Sequence, residues 1–207
     1  MFTRGRFLFL LSLVFFGVAG ISPARAAALE IHIHNDAGLP PAVLDQVMTQ
    51  LQAILTSAGA SVDVRNCQGK DNPWCQQPSA GVKVLYLRIL PGEGPKIKNM
   101  RNPALGAAVA DETGGAYGSV FLATIKDQAQ SANVPWNVVA AYATAHEIGH
   151  LLLGSNAHTR TGVMKAAWDA KDMSAMFQNG VHFNREQQQL LANCCGDRHG
   201  TEVAAAH

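Results

Sequence analysis

Charge of either sign is scarce in this chain, and the two signs nearly cancel. Lysine and arginine together number 16 in 207 residues, against 15 aspartates and glutamates. A protein that binds nucleic acid or a charged membrane surface normally carries a clear basic excess or a basic cluster. The composition therefore argues against both kinds of partner.

Cysteine is also scarce, with four residues: Cys67, Cys75, Cys194 and Cys195. No two of them have the two-residue spacing of a zinc knuckle, which argues against a four-cysteine zinc site. Cys67 and Cys75 bracket the short loop CQGKDNPWC, so a local disulfide there is the first expectation. That bridge would leave Cys194 and Cys195 as an adjacent pair. Bridges from the loop to the C-terminus are the open alternative.

The sequence lacks an apolar run long enough to span a bilayer. Its longest run, Phe7 to Val18, has about a dozen residues, whereas a membrane helix needs about 20. Two arginines precede this run and the small-x-small sequence ARA follows it at residues 24–26, which is typical of a secretory signal peptide. We expect residues 1–26 to be removed, leaving a secreted or periplasmic protein without membrane contact.

The chain that remains, residues 27–207, has a length suited to one domain with a substantial core. It contains no internal repeat. Without the three arginines of the signal peptide it carries 13 basic and 15 acidic residues. We expect a single domain that acts as a monomer.

Alternation in the sequence LEIHIH, residues 29–34, predicts the first strand. His32 and His34 point to the same side of this strand, as metal ligands could. Such a pattern is more typical of the wet face of a half-buried strand, and we expect these two histidines to lie there.

Further elements are predicted between residues 40 and 125. An apolar stripe predicts a helix from Pro40 to about Gly59, and strands are predicted at residues 61–67 and 81–90. The second of these strands is largely apolar and is expected at the centre of a sheet. Ser119–Ile125 is another strand candidate, whereas the small-residue segment ALGAAVADETGGAYG before it has no clear periodicity.

Three helices are predicted after residue 130. The longest runs from Trp136 to Leu153 and ends at Gly154. A shorter one is expected around Asp169–Phe177. A final helix in NREQQQLLANCC begins after Asn184, with Gln187 at the third position of a capping box.

The longest helix carries the motif HEIGH at residues 146–150. His146 and His150 are one turn plus about 40° apart, so both imidazoles project from one face and can share one zinc ion. Glu147 is rotated by about 100° from His146, close enough to take a proton from a water at the metal and pass it to a leaving amine. The pattern predicts a catalytic zinc site with Glu147 as general base.

A catalytic zinc site needs a third protein ligand, which this helix cannot supply after Gly154. Gly154 lets the chain turn back at little cost, and the loop that follows carries His158. Asn156 comes earlier, but an amide is a poor zinc ligand. Glu186 on the final helix is an alternative third ligand. Two later histidines are candidates only if the C-terminal segment folds back: His182 and His199.

Residues 146–164 resemble the active site of the metzincin metallopeptidases, His-Glu-x-x-His-x-x-Gly-x-x-His followed by a Met-turn. Here the glycine comes one residue late and the last histidine two residues late, and TRTGVM then places Met164 where the Met-turn belongs. The resemblance implies Zn²⁺ bound by His146, His150 and His158, with Glu147 as general base and Met164 beneath the metal.

The same resemblance implies the architecture: an α+β fold, with a mixed twisted sheet, a long active-site helix and a small C-terminal subdomain. The upper subdomain would extend to about residue 154, and the lower one would comprise residues 155–207. Trp168 is a candidate wall of the substrate pocket or a packing residue of the small subdomain. Tyr117 is a candidate donor to an oxyanion.

The expected function is that of a secreted zinc metalloendopeptidase acting on peptide or protein substrates. Two alternatives remain open: a secreted zinc-binding interaction module without peptidase activity, and a zinc hydrolase acting on a non-peptide amide. A purely structural site has no need of Glu147, which favours an enzyme. The natural substrate and its side-chain preferences do not follow from the sequence.

Overall fold

The computed structural model describes residues 28–68, 73–77, 79–98 and 102–196. The predicted signal peptide and His199 lie outside these residues. Along the chain the described residues form β1 (Leu29–His34), α1 (Pro41–Ser57), β2 (Val62–Asn66), α2 (Pro73–Gln76), β3 (Lys83–Leu90), β4 (Gly106–Asp111), β5 (Gly114–Phe121), α3 (Leu122–Ser131), α4 (Trp136–Leu153), α5 (Ala170–Gln178) and α6 (Arg185–Cys195).

The five strands form one sheet in the order β2-β1-β3-β5-β4. The first four strands in this order run parallel, and β4 runs antiparallel to β5 at the edge. Strand β3 lies at the centre, as its apolar sequence predicts, and Leu85 and Leu87 are fully buried. The molecule is therefore a mixed α and β structure built on a five-stranded mixed sheet.

The hairpin formed by β4 and β5 differs from the secondary structure predicted for residues 104–125. The small-residue segment without clear periodicity forms β4 and the first half of β5, and the strand expected at Ser119–Ile125 ends at Phe121, where α3 follows. Glycine and alanine give little contrast between apolar and polar positions, so a strand made of them leaves no period-2 signal.

Helix α4 lies in the hydrophobic core. It packs against α1, β4 and β5, and most of its residues are buried. A helix that is apolar on nearly all sides is a core helix, which fits its sequence. One cluster of buried apolar side chains runs from Leu29 to Cys195 and includes Val163, Met164 and Phe183 from the segment after α4.

The two C-terminal helices begin as their sequences predict. The side chain of Asp169 accepts hydrogen bonds from the first turn of α5, and Asn184 and Gln187 form a reciprocal capping box at α6. These caps determine where each helix begins and so where the loop before it ends. The prediction of the capping box at Asn184 is confirmed.

The cysteines pair locally. Cys67 is linked to Cys75, as first expected, and Cys194 is linked to Cys195, so the crossed pairing does not occur in this structure. Within the described ranges, no helix combines the length and the hydropathy that a membrane span requires.

The position of His32 differs from the expectation of a wet strand face. Its side chain is only 1% exposed, because the Tyr86 ring lies edge-on at 5.4 Å and the Glu30 carboxylate lies beside it. His34, two residues later, is half-buried. The prediction that His32 lies on the face opposite Ile31 and Ile33 is confirmed, but at His32 that face is buried and not exposed to solvent.

Candidate metal centre

Three histidine side chains converge at the end of α4. The Nε2 atoms of His146 and His150 are 3.2 Å apart, those of His150 and His158 3.0 Å, and those of His146 and His158 3.3 Å. Two nitrogens bound tetrahedrally to one zinc ion at about 2.0–2.1 Å would be about 3.3 Å apart. The spacing of the three nitrogens therefore fits a zinc ion at their centre.

The hydrogen bonds made by the Nδ1 atoms of His146 and His150 determine which ring nitrogens face the centre of the cluster. Nδ1 of His146 donates to the Val163 carbonyl at 2.8 Å, and Nδ1 of His150 donates to the Gly154 carbonyl at 3.2 Å. Since a carbonyl can only accept, each neutral imidazole then carries its lone pair on Nε2. Lone pairs cannot hydrogen-bond to one another, and their convergence is the arrangement that a cation stabilises.

Burial keeps the imidazole of His146 neutral. Burial, together with the charges of His150 and His158, lowers the pKa of His146 to about 4, although the Val163 carbonyl acts in the opposite direction. The pKa of His158 is also lowered by burial and by His150. A neutral imidazole is the form that binds a metal.

The loop after α4 brings His158 back to the helix. Gly154 ends α4 with φ 92°, and a Cβ there would overlap the Glu112 carbonyl, so the turn requires glycine. The Ser155 amide then donates to the Asp111 carbonyl at the end of β4 (2.8 Å). On its far side the loop is held by the Gln187 side chain, which donates to the Ala157 carbonyl at 2.9 Å.

The turn at residues 162–164 packs directly against α4. The Met164 side chain is fully buried, and a Cβ built on Gly149 would overlap its sulfur. Gly149 lies between the two helical histidines, so its lack of a side chain lets Met164 reach the backbone beneath them. The same turn supplies the Val163 carbonyl that orients His146.

Glu147 lies beside the three histidines with a buried carboxylate. It is 6% exposed, and within the described residues its carboxylate has no hydrogen-bond partner. Burial raises its pKa to about 8. A Cβ added to Gly106 of β4 would overlap this carboxylate, so the glycine makes the space in which the acid group lies.

The site opens into a cleft of about 1120 Å³. Strand β4 borders it with Gly106, Ala107 and Ala108, and residues 165–170 border it on the other side. Strand β4 is the last strand in the sheet order, so its outer edge has no neighbouring strand among the described residues. Its small side chains leave that edge accessible from the cleft.

Trp168 both lines the cleft and packs on the core. Its ring lies edge-on to His146 at 5.5 Å between centroids. Trp168 therefore has both of the roles considered for it, as a wall of the cleft and as a packing residue. Lys165, the only lysine or arginine of the described lining, pairs with Asp169 at 3.5 Å and with Asp172. No unpaired cationic side chain of this lining would therefore repel a metal ion at the histidines.

Several sequence candidates do not reach the cluster. Glu186 and His182 do not belong to the group of converging ligand atoms that His146, His150 and His158 form. Asn156 is exposed, and the His182 contact in this region is its backbone carbonyl, which accepts from the Val163 amide. Tyr117 is 60% exposed; its neighbour Gly118 is the residue that faces Glu147, so Tyr117 points away from the cleft.

Two residues of the site were not anticipated. Gly106 makes room for the Glu147 carboxylate, and Gln187 holds the loop that carries His158. Gln187 had a sequence signal, but only as part of a helix cap. Nothing in the sequence around Gly106 signals its contact with α4, because the two are distant along the chain.

The sequence matches no protein-family model and no curated protein. The structure is similar to metalloproteinase-II from Bacteroides fragilis (13% identity, TM-score 0.48), covering 82% of this chain and 54% of that one, so this chain spans about half the length of that protein. It is also similar to archaemetzincin from Methanopyrus kandleri (14% identity, TM-score 0.54), covering 84% and 98% of the two chains.

A third similar structure is a zinc-dependent peptidase from Methanocorpusculum labreanum (14% identity, TM-score 0.52), covering 78% of this chain and 99% of that one. In the two archaeal cases nearly the whole of the other protein is matched. The chain therefore has the fold shared by archaemetzincin and this zinc-dependent peptidase.

Proposed function

We propose that this chain is a zinc-dependent metalloendopeptidase, with His146, His150 and His158 as metal ligands and Glu147 as general base. One observation carries the proposal: three imidazole Nε2 atoms converge within 3.0–3.3 Å of one another, beside a buried carboxylate in an open cleft. The fold shared with a zinc-dependent peptidase supports the same conclusion.

The donor set favours zinc. Three neutral imidazoles with a fourth position facing a cleft are a known ligand set of catalytic zinc, whereas structural zinc is enclosed by four protein ligands. Bound there, zinc would act as a Lewis acid toward a substrate carbonyl and lower the pKa of a water molecule. The carbonyls of Val163 and Gly154 keep the helical histidines in the orientation that this requires.

Glu147 supplies the proton transfer. Burial alone raises the pKa of Glu147 to about 8, and a zinc ion bound beside it would favour the ionised form. That carboxylate, which has no competing partner in the described part of the chain, could then accept a proton from the attacking water and deliver it to the leaving amine. Such transfer by a positioned side chain contributes about 10²–10⁴-fold to a rate. The packing of Gly106 against Glu147 restricts where that carboxylate can lie.

The shape of the cleft favours an extended peptide. The outer edge of β4 can form main-chain hydrogen bonds with a peptide laid along it, as in other cases of β-strand addition. The alanines and glycine of β4 leave room for the side chains of such a peptide. The turn at Met164 then acts as the Met-turn that the sequence resemblance implies.

We also propose that residues 1–26 are a signal peptide and that residues 27–207 act as one secreted or periplasmic domain and as a monomer, divided at about residue 154 into an upper and a lower subdomain. The disulfide between Cys67 and Cys75 suits an exported protein. The core cluster that joins both sides of residue 154 supports a single folding unit.

The direct test is a peptide-library cleavage assay on the purified mature protein, run together with metal analysis. We expect about one tightly bound zinc per oxidised chain, cleavage at internal peptide bonds, and loss of cleavage with a chelator that returns when zinc is restored. A folded protein without zinc would overturn the proposal.

The same assay separates the two alternatives. A zinc-binding interaction module would hold zinc but cleave neither peptides nor simple amides. A hydrolase for non-peptide amides would leave the library intact but act on small amide substrates in a chelator-sensitive way.

A further inference from the structure

A second group of potential ligands lies far from the three histidines. A ring nitrogen of His32 and the sulfurs of Cys67 and Cys75 lie within 4.8 Å of one another. Ile33, next to His32, belongs to the core cluster that contains α4. Because side chains alternate along a strand, His32 lies on the opposite face of the sheet.

The register of the sheet shows that this face is not the face of the cleft. Ile33 pairs with Leu87, and Leu87 with Gly118. A Cβ on Gly118 would contact the Glu147 side chain at 3.6 Å. Ile33, Gly118 and the three-histidine cluster thus share one side of the sheet, and His32 with the two cysteines lies on the other.

His32 is a buried histidine with one unsatisfied nitrogen. Its Nε2 lies 3.2 Å from the Glu30 carboxylate, and its Nδ1 is buried without a hydrogen-bond partner. An ionised carboxylate can only accept, so Nε2 donates and the lone pair is on Nδ1. A buried lone pair without a partner costs free energy unless another group uses it.

The carboxylate is itself anchored. Glu30 is 1% exposed, and it accepts from the Ser79 amide at 3.0 Å and pairs with Arg65 at 3.1 Å. A carboxylate that orients a histidine in this way is the usual support behind a metal-binding imidazole.

We propose that reduction of the Cys67–Cys75 disulfide creates a second metal site, in which the two thiolates and Nδ1 of His32 bind a thiophilic divalent cation such as Zn²⁺. Arg65 pairs with both Glu30 and Asp63, so these three groups already carry one net negative charge, and the two thiolates would add two more that a divalent cation neutralises. Thiolate and imidazole are ligands that zinc prefers.

The two states exclude each other. In the disulfide both sulfurs are bonded to each other and lack thiolate charge, so the metal cannot bind them. A phosphine reductant transfers two electrons to the disulfide; its phosphorus takes the oxygen of a water molecule, and the two protons of that water go to the two thiols. Binding of Zn²⁺ then releases both thiol protons.

The test uses the whole mature chain, stripped of metal and titrated with Co²⁺ and with Zn²⁺ before and after phosphine reduction. We expect one equivalent bound in the oxidised protein and two after reduction. The second Co²⁺ should show sulfur-to-cobalt charge-transfer absorption, which the three histidines cannot produce. Failure of the reduced protein to bind a second equivalent would overturn the proposal.

Variants identify the ligands. Cys67→Ser should remove the second equivalent, and His32→Ala should weaken it by roughly 10-fold or more, since loss of even a supporting residue costs about 10–100-fold. The double variant Cys194→Ser/Cys195→Ser removes the other disulfide and should keep the second equivalent. Sulfur absorption that disappears with this pair instead would contradict the assignment.

Folding is checked in the same samples. Each oxidised variant should still bind the first equivalent at the three histidines, which reports an intact cleft. Tyr86→Phe keeps the ring edge against His32 and serves as the matched control, with the second equivalent unchanged. If Tyr86→Phe and His32→Ala weaken the second equivalent alike, the effect is packing and His32 is not a ligand.

Discussion

The two groups of potential metal ligands in the described part of the chain, His146, His150 and His158 in the cleft and His32, Cys67 and Cys75 on the far face, orient their histidines in the same way but lie in different environments. For His146, His150 and His32, one ring nitrogen donates to an oxygen, which leaves the other ring nitrogen with its lone pair. In the cleft the acceptors are the backbone carbonyls of Val163 and Gly154, and on the far face the acceptor is the Glu30 carboxylate.

The difference lies in what surrounds each lone pair. The cleft cluster includes the exposed His158 and opens to solvent, and its neighbouring carboxylate, Glu147, has no partner in the described part of the chain. In the far-face group His32 and Cys67 are buried and Cys75 is partly exposed, and the Glu30 carboxylate is engaged by His32, Ser79 and Arg65. An open site beside a free carboxylate suits chemistry on a substrate, whereas a largely buried site with an engaged carboxylate suits the binding of an ion.

The largest expected effect tests the free carboxylate. Glu147→Gln keeps the side-chain shape but cannot accept the proton of the attacking water, so we expect peptide hydrolysis to fall roughly 10²-fold or more with zinc retained. Metal analysis and turnover are measured on the same samples. Glu186→Gln, an exposed carboxylate on α6, is the matched control and should leave both unchanged. Normal turnover in Glu147→Gln would remove Glu147 from the mechanism.

The second prediction removes the exposed ligand of the cleft cluster. His158→Ala leaves two imidazoles on the helix and should weaken zinc binding by roughly 10-fold or more, by comparison with the loss of supporting residues. Competition with a chromogenic chelator measures the affinity. His182→Ala, which alters an exposed ring nearby, should have no such effect. The assignment fails if the two variants bind zinc equally well.

The third prediction narrows the space around the free carboxylate. Gly106→Ala places a Cβ where the Glu147 carboxylate lies, so the acid group must move while the three histidines stay. We expect a fall in kcat/KM on the order of 10-fold, equivalent to about 1.4 kcal/mol, with zinc affinity unchanged. A Cβ on Gly92 would meet no atom within 4 Å, which makes Gly92→Ala the control. Equal activity in the two variants would show that Glu147 tolerates the displacement.

The smallest effect concerns the loop that carries His158. Gln187→Ala removes the hydrogen bond to the Ala157 carbonyl and also the capping bond that the Gln187 side chain accepts from the Asn184 amide, and each such bond contributes about 0.5–1.5 kcal/mol. We expect zinc affinity to fall a few-fold because His158 is held less firmly. Gln188, on the same helix, donates to the Phe183 carbonyl at 2.7 Å, away from that loop. If Gln188→Ala weakens zinc binding equally, the effect belongs to α6 as a whole.

Much of the cleft site could be predicted from the sequence because its geometry is local. Four-residue spacing on a helix determines that His146 and His150 share a face, and Gly154 lets the chain reverse after the helix. The caps at Asp169 and Asn184 are equally local, since each depends on residues within one turn. The expectation for His158 rested on the shortness of the loop, and the structure brings that residue to the other two histidines.

Only the tertiary structure decided the contacts between residues distant along the chain. Strand β4 has too little contrast between its small residues to be recognised, yet it places Gly106 against Glu147. Alternation placed His32 on the outer face of β1 correctly, but burial of that face depends on Tyr86, Glu30 and the Cys67–Cys75 disulfide, which lie beside it. Spacing along a chain determines the face on which a side chain lies, whereas packing between elements determines what that face meets.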